Sequence, residues 1–565
     1  MPHVLAWENL RPESRWIAAL ILTLAALALY LPGLGDGDFV GDDEALDAGI
    51  VTEMYRTGDW LFPEFNGEYL PPKPPLFYWA AALAAHFHGR ADEWSSRLPS
   101  ALAGAAMVGL TTAAATPIVG VGPATLGGAM LATTSVVFGE ARVARCDMLL
   151  ALLVSTCLFI LAPARARPIA FAQRWLFWSL LGLAAITKGG AGVGLVFIVA
   201  LVNAVLERDS TALRSLAEYS VVAFLVIGSS WYVIASLHWG YRFVDEQILG
   251  ENFRHLIGLG GISDKGAGVK PLAERLTYYL KRLLPTALPW SVLLPAALLA
   301  SWRNSTEMKS SRFFAIWLVA GLVFFTAPLR KSPYYLLPLA PPMALLCAMW
   351  TFPRVRGSVA NGWPRPDAPS LRLAVGGAAV MIAAAIYFVG RAPSCDLHAV
   401  ARALVRHPAV TSLGLVLVGG GILGLSLALV RRHWAAGTGA VLAVLCGSLW
   451  IAGVAGGAID SCATLRPLAE TVRARIDAGD SVLFFREPLP AVALYSERRI
   501  PTLRDPQSRP EGTFYLIVPD SRGADMPKDW RDSGRSVAEV YGRAFTRQRM
   551  TVRLLRLPPV TEPTR

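Results

Sequence analysis

The stretch Trp16–Tyr55, WIAALILTLAALALYLPGLGDGDFVGDDEALDAGIVTEMY, decides the architecture through the contrast between its two halves. The first half, Trp16–Leu34, is an apolar run of the length needed to cross about 30 Å of hydrocarbon as a helix. No small-residue cleavage site precedes the acidic residues that follow, so it reads as a retained span and not as a removed signal peptide. In the second half, DDEALDAGIVTEMY has helical periodicity with Ala45, Ile50, Val51 and Met54 on its apolar side. That pattern predicts a helix lying along the membrane surface, with Asp43 and Glu44 held at the headgroup level where a lipid-linked phosphate sits.

Working outward, the whole chain of 565 residues is 54% hydrophobic and 17% charged, against about 25% charge in a soluble protein. A soluble globular enzyme is excluded. Apolar cores recur at Trp16–Leu34, Ala101–Val119, Ala124–Phe138, Met148–Leu161, Trp175–Ile186, Gly192–Leu206, Val221–Leu237, Leu288–Trp302, Phe313–Leu329, Tyr334–Trp350, Leu373–Val389, Val410–Val430 and Val441–Val454. These predict a polytopic α-helical membrane protein with about thirteen spans over residues 1–458. The run Leu76–Phe87 is short for a span and reads as interfacial or re-entrant. With it left out, Arg165, Arg167 and Arg174, then Arg303, Lys309 and Arg312, then Arg354, Arg356, Arg365 and Arg372, then Arg431 and Arg432 share one side. The positive-inside rule makes that side cytoplasmic. The loops 35–100 and 238–287 and the C-terminal segment then face the other side.

Lys and Arg total 53 against 41 Asp and Glu, a net charge of +12. The basic residues are scattered between apolar runs with no basic-aromatic cluster, which points to anionic lipid and away from nucleic acid. Six Cys is sparse. Cys395 and Cys462 lie outside apolar runs and could pair on an oxidising face. From about residue 459 the composition turns charged and mixed: SVLFF (Ser481–Phe485), FYLIV (Phe514–Val518) and TVRLLRL (Thr551–Leu557) read as strands, and LAETVRARIDAG as an amphipathic helix ending at Gly479. Residues 459–565 are thus expected to form a small α/β domain on the outer side.

The segment YLPPKPPLFYW, from Tyr69 to Trp79, presents Lys73 between two Pro-Pro pairs, a stiff loop offering one ammonium to a phosphate. The Asp-Glu pair at Asp43–Glu44, Gly-Asp-Trp at Gly58–Trp60 and Lys-Pro-Pro-Leu-Phe-Tyr-Trp at Lys73–Trp79 resemble the bacterial members of the protein O-mannosyltransferase superfamily. Arg-Cys-Asp (Arg145–Asp147), Thr-Lys-Gly (Thr187–Gly189) and Lys-Ser-Pro-Tyr-Tyr-Leu-Leu-Pro-Leu (Lys331–Leu339) follow in the superfamily's order. Within it, the span count and the extra outer domain look most like the lipid A aminoarabinose transferase family. The resemblance implies a GT-C fold, an undecaprenyl-phosphate sugar donor, a lipid A acceptor, and a site on the periplasmic face of the bacterial inner membrane. Pro72 stands where the family typically reads Glu, so a role for that carboxylate does not carry over.

On that reading Asp43 is the catalytic carboxylate and Asp147 a second one at a span end, where an ionisable group is costly unless it serves a function. The alternative for Asp147 is a helix N-cap. Lys73, Arg330 and Lys331 are expected on the donor phosphate with Tyr334 and Tyr335 as neighbours, and Glu44, Tyr69 and Lys188 complete the expected substrate-binding set. Glu251 and His255, four apart, could ligate zinc but supply only two ligands, so an ion pair is the competing reading; no cofactor is required by the sequence. Gly258, Gly260, Gly261, Gly266 and Gly268 suggest a mobile lid. A second acceptor class, protein or another glycan, stays open. A secondary transporter or lipid flippase calls for internal repeats and broken, charge-bearing helices at mid-membrane, and neither is found.

Overall fold

The computed structural model describes residues 14–39, 42–68, 70–162, 168–254, 272–303, 309–329, 331–355, 405, 411–421, 443, 446–453, 464–543 and 549–558. Eleven helices run in order: α1 (Ser14–Tyr30), α2 (Asp42–Thr57), α3 (Leu76–His88), α4 (Glu93–Val119), α5 (Val121–Ala132), α6 (Ser135–Glu140), α7 (Asp147–Leu161), α8 (Phe171–Lys188), α9 (Gly190–Glu207), α10 (Thr211–Leu216) and α11 (Val221–Trp239). Beyond them come helices Leu272–Thr286, Leu294–Arg303 and Lys309–Thr326, a 3-10 turn at Pro333–Leu339 and helix Ala340–Val355.

Four described helices are long and apolar enough to cross a membrane: Glu93–Val119, Gly190–Glu207, Val221–Trp239 and Pro333–Phe352. Shorter apolar helices include Arg15–Tyr30, Val121–Ala132, Asp147–Leu161, Ser311–Thr326 and Thr411–Gly421. On α1, Trp16, Ile17 and Leu20 are each 60% exposed, and Leu225, Val226 and Leu237 project from α11 in the same way. Such apolar stripes fit lipid as their solvent. α1 and α4 approach closely at Gly109, where a Cβ would lie 2.0 Å from Thr23 Oγ1. Arg142 ties the end of α1 to the helix at 446–453 by donating to the carbonyls of Tyr30, Pro32, Gly33 and Gly453.

Two expectations change. The core Ala124–Phe138 is not one helix: it breaks between Ala132 and Ser135. The Thr133 and Thr134 hydroxyls donate back to carbonyls of the preceding turn, and the Ser135 N–H goes to Leu288 O on a distant segment, so local side-chain bonds and a tertiary contact displace the helical ladder. In the other direction, α4 begins at Glu93, ahead of the expected Ala101, with Asp92 and Ser95 forming a capping box. The expected span Leu373–Val389 lies outside the described residues, as do Cys395 and Cys462.

The C-terminal part carries a five-stranded sheet in the order β2-β1-β3-β5-β4, with β1 Ser481–Phe485, β2 Thr502–Leu503, β3 Phe514–Pro519, β4 Arg535–Arg543 and β5 Arg549–Leu557. β1 is parallel to β2 and β3, while β5 is antiparallel to β3 and β4. One face packs Phe485, Phe514, Leu516, Val518 and Trp530. The other face, with Val482, Phe484, Ile517, Val552 and Leu554, shares a single apolar core with Ala45, Ala48, Ile50, Val51 and Met54 of α2 and Phe77, Tyr78, Ala81 and Ala82 of α3. This corrects the placement of α2 along a lipid surface. Its apolar face is covered by protein, and helix Pro490–Ser496 packs on it, because residues spaced for a membrane face serve equally well for a protein core.

Polar bonds fasten the same contact. Asn66 exchanges two bonds with the Ile500 backbone, both 2.8 Å. Glu68 Oε1 accepts the Thr502 N–H at 2.8 Å, and the Phe39 N–H donates to Tyr495 Oη at 2.7 Å. Arg466 reaches Asp38 at 2.7 Å and Glu93 at 3.4 Å. Gly49 is needed for this fit, since a Cβ there would lie 2.7 Å from the Phe65 ring.

Candidate active site

Three of the carboxylates at the acidic start of α2, Asp43, Glu44 and Asp47, stand in three environments. Asp43 is exposed. Glu44 turns inward and is 2% exposed. Its Oε1 accepts Arg97 Nε at 2.8 Å and the Ala144 N–H at 2.9 Å. The rest of the Arg97 guanidinium donates to Leu34 O at 3.0 Å, Gly37 O at 2.7 Å and Asp38 O at 2.9 Å. A planar, permanently charged fork is suited to such a multi-centre junction. Glu44, expected at the substrate, is thereby corrected to a structural group that joins α2, α4, the turn after α1 and the segment before α7.

Asp47, one turn after Asp43, is 6% exposed and accepts the Tyr78 hydroxyl at 2.7 Å. Burial pushes its carboxyl up to about 7 against the opposing Tyr78 bond; Asp43 adds to the rise, and Lys73 and Arg145 oppose it. Lys73 is half-buried, with its ammonium near enough to act on Asp47, Cys146 and Tyr232.

At the adjoining ends of α7 and α8, Asp147 and Lys188 form a buried ion pair. The Lys188 ammonium lies 5.0 Å from the centres of both the Tyr334 and the Tyr335 ring, within cation–π range. The N-cap alternative for Asp147 does not hold: its carboxylate goes to Lys188, and helix α7 starts from Cys146 with no side-chain cap. Arg145 stacks on Tyr334 at 4.5 Å and has Glu140 at 3.5 Å. Its Nε is buried without a hydrogen-bond acceptor among the described residues, and its Nη1 is the atom that faces Glu140. Buried charged donors of this kind are costly unless a ligand completes them. Asp43, Asp147 and Glu140 all act on the Arg145 charge, so these groups form one cluster.

Lys331, expected on the donor phosphate, is turned elsewhere. Its ammonium donates to the carbonyls of Phe325 and Thr326 at the end of helix Lys309–Thr326 and lies 5.4 Å from the Tyr279 ring. A cation there satisfies the last-turn carbonyls and the helix dipole. Tyr69, Arg330, His255, the Glu251 side chain and the five glycines of the expected lid lie outside the described residues. Among the described residues no group of three or more His, Cys, Asp or Glu is placed to hold a metal ion.

Sequence reading missed Asp47, Tyr78 and Arg97 as members of this region. Arg145 stood inside a recognised motif without a role. Only the i,i+4 spacing of Asp43 and Asp47 on a helix offered a signal.

Residues 72–234 match the family described as dolichyl-phosphate-mannose-protein mannosyltransferase. An undecaprenyl phosphate-alpha-4-amino-4-deoxy-L-arabinose arabinosyl transferase of Pseudomonas aeruginosa (strain LESB58) is 29% identical over 358 residues, 61% of each chain. A protein of the same description from Pectobacterium atrosepticum is 27% identical over 59% of this chain and 58% of its own. The match spans about three fifths of the length of these curated relatives. Among solved structures, ArnT from Cupriavidus metallidurans bound to undecaprenyl phosphate superimposes with a TM-score of 0.73 at 20% identity, covering 94% of this chain and 97% of that one. Its apo form gives the same score over 96% and 98%. The fold is shared over nearly the whole chain.

Proposed function

From a membrane chain that has the GT-C glycosyltransferase fold of the aminoarabinose transferases and resembles them in sequence over 61% of its length, we propose a glycosyltransferase with a polyprenyl-phosphate sugar donor. In its sharpest form it moves 4-amino-4-deoxy-L-arabinose from undecaprenyl phosphate to lipid A phosphate groups. The site and residues 459–565 face the periplasm across about thirteen spans of the bacterial inner membrane. The observation that carries the reading is the largely buried Arg145, whose Nε meets no acceptor among the described residues and whose Nη1 has Glu140 at 3.5 Å, set beside Lys188, two tyrosines and the exposed Asp43.

The chemistry fits those residues. The bond between the anomeric carbon and the carrier phosphate breaks, and its electron pair leaves with the phosphate. Arg145, Lys73 and Lys188 stabilise that charge in a site already organised for it. The acceptor oxygen forms the new bond from the opposite face, so a single displacement inverts configuration. Asp43 takes the proton of a hydroxyl acceptor, or orients the sugar amine when the acceptor is a phosphate oxygen. Asp147 holds Lys188 in place and does not itself need to reach substrate.

Purified protein incubated with lipid A and undecaprenyl-phosphate aminoarabinose is expected to add one aminoarabinose, read by mass spectrometry. Asp43→Ala abolishes the gain with expression intact; undiminished transfer by that variant sinks the assignment of Asp43. The matched family's description names a protein acceptor, so label appearing on a peptide and not on lipid A moves the reading to that class.

A further inference from the structure

The edge of the C-terminal sheet and the segment leading to Lys73 are made for one another. β2 stands at the end of the strand order. Its inner side is used up, with the Phe484 and Arg486 N–H groups donating to Pro501 O and Leu503 O. Its outer side, at Ile500 and Thr502, would be an open edge, and the turn Phe65–Glu68 covers it. Asn66 and Gly67 both have positive φ, at 60° and 72°, and the Glu68 N–H returns to Phe65 O at 3.3 Å, as in a type I′ turn. That turn aims Asn66 at the Ile500 N–H and carbonyl, and Glu68 at the Thr502 N–H, all at 2.8 Å. Lys73 follows five residues after Glu68.

A second grip lies ahead of Asp43. Tyr495, near the end of helix Pro490–Ser496, stacks on Phe39 with ring centres 6.1 Å apart. Its hydroxyl accepts the Phe39 N–H at 2.7 Å and donates to Glu93 Oε1 at 2.9 Å. The adjoining Asp38 is held by Arg97 on its carbonyl at 2.9 Å and by Arg466 on its carboxylate at 2.7 Å. Arg97 also holds Glu44, the neighbour of Asp43. Contacts thus fix the chain before Asp43, at Asp38 and Phe39, and after it, at Glu44. We infer that Tyr495 and Asn66 are positioning residues of the transfer reaction: through them the C-terminal sheet and its helix set where Asp43 and Lys73 stand. The inference rests on the roles given to Asp43 and Lys73 above.

The two grips carry little of the apolar burial, which the core around Phe484, Ile517, Val552 and Leu554 supplies. Tyr495→Phe keeps the ring on Phe39 and frees one N–H. Asn66→Gly keeps a residue at ease with positive φ and removes both bonds to Ile500. Each change loosens one segment and leaves the core intact. Their effects separate, because Asp43 acts on the reacting atoms and Lys73 holds the donor phosphate: a loosened Asp43 lowers kcat, and a loosened Lys73 raises the donor KM.

The test compares full-length wild type, Tyr495→Phe, Asn66→Gly and a control, Arg473→Ala, whose pair with Glu497 is exposed on both sides. Each is assayed in lipid nanodiscs with undecaprenyl-phosphate aminoarabinose and lipid A. Tyr495→Phe is expected to lower kcat on the order of tenfold with donor KM unchanged. Asn66→Gly is expected to raise donor KM on the order of fivefold with kcat unchanged, and Arg473→Ala to match wild type. Hydrogen exchange read by mass spectrometry needs no substrate: the Phe39 amide exchanges faster in Tyr495→Phe and the Ile500 amide faster in Asn66→Gly, with β1 and β3 as in wild type. Wild-type kinetics in both variants overturn the inference. So does exchange that rises throughout the sheet, or loss of folded protein, because the two residues then serve the fold alone. If wild type transfers no sugar, the donor reading fails, and the exchange data still decide whether the sheet holds the two segments.

Discussion

Two carboxylate–cation pairs are buried a few residues from each other's elements, and they are built for opposite purposes. Glu44–Arg97 is saturated: the guanidinium meets a carboxylate and three backbone carbonyls, and the carboxylate also takes a backbone N–H. Asp147–Lys188 is lean, with one carboxylate, two ring faces and the neighbouring Arg145. Saturation fixes backbone in place, whereas a lean pair keeps donors and positive charge for something that arrives. The motif-bearing residues do not by themselves tell which is which, because Glu44 sits in a motif and belongs to the structural pair.

Removing both partners of each pair should expose this difference most sharply. Arg97→Met with Glu44→Leu eliminates both charges yet leaves Leu34 O, Gly37 O, Asp38 O and the Ala144 N–H orphaned. At about 1–3 kcal/mol for each unsatisfied group, the double variant is expected to fail as folded protein, read by yield of monodisperse material from detergent. Asp147→Asn with Lys188→Met orphans no described backbone group. It should remain folded, with a melting temperature near wild type, while transfer falls on the order of 100-fold. A double variant of Asp147 and Lys188 that keeps full transfer would erase the contrast. The smallest effect is expected at Arg466→Ala, whose side chain is 42% exposed in its bonds to Asp38 and Glu93. Asp38 and Glu93 are only 12% and 16% exposed but the Arg466 end stays open to solvent, so a loss near the top of the about 0–1 kcal/mol of surface pairs, read as a small shift in thermal unfolding, is the predicted outcome.

What could be read from the sequence follows the range of the interactions. Strands β1, β3 and β5 lie where SVLFF, FYLIV and TVRLLRL predict them, because alternation and β-branched composition are local. The helix over DDEALDAGIVTEMY is local in the same way, but its partner is not: apolar spacing says that a face is buried, not whether lipid or a sheet more than 400 residues later in the chain buries it. Arg97 lies in the polar stretch EWSSR, which reads as a loop before a span, and its carboxylate is 53 residues away. The strand RSVAEVYGR and the short β2 were missed, one for its charge and the other for its two-residue length. Asp47 has one sequence signal, its i,i+4 spacing from Asp43, and that spacing does not distinguish a carboxyl facing water from one facing Tyr78.

The shared core of α2, α3 and the C-terminal sheet also sets a clock. Ile50, Val51 and Met54 emerge early in synthesis, yet Phe484, Ile517 and Leu554, which complete their core, are made more than 400 residues later. At about 5–20 residues per second that is an interval of tens of seconds. During it Asp43 and Lys73 sit on an unfinished platform with an apolar face open to chaperones or to the bilayer. A chain that stops short of β5 therefore carries every membrane motif and still leaves the core beneath α2 and α3 incomplete.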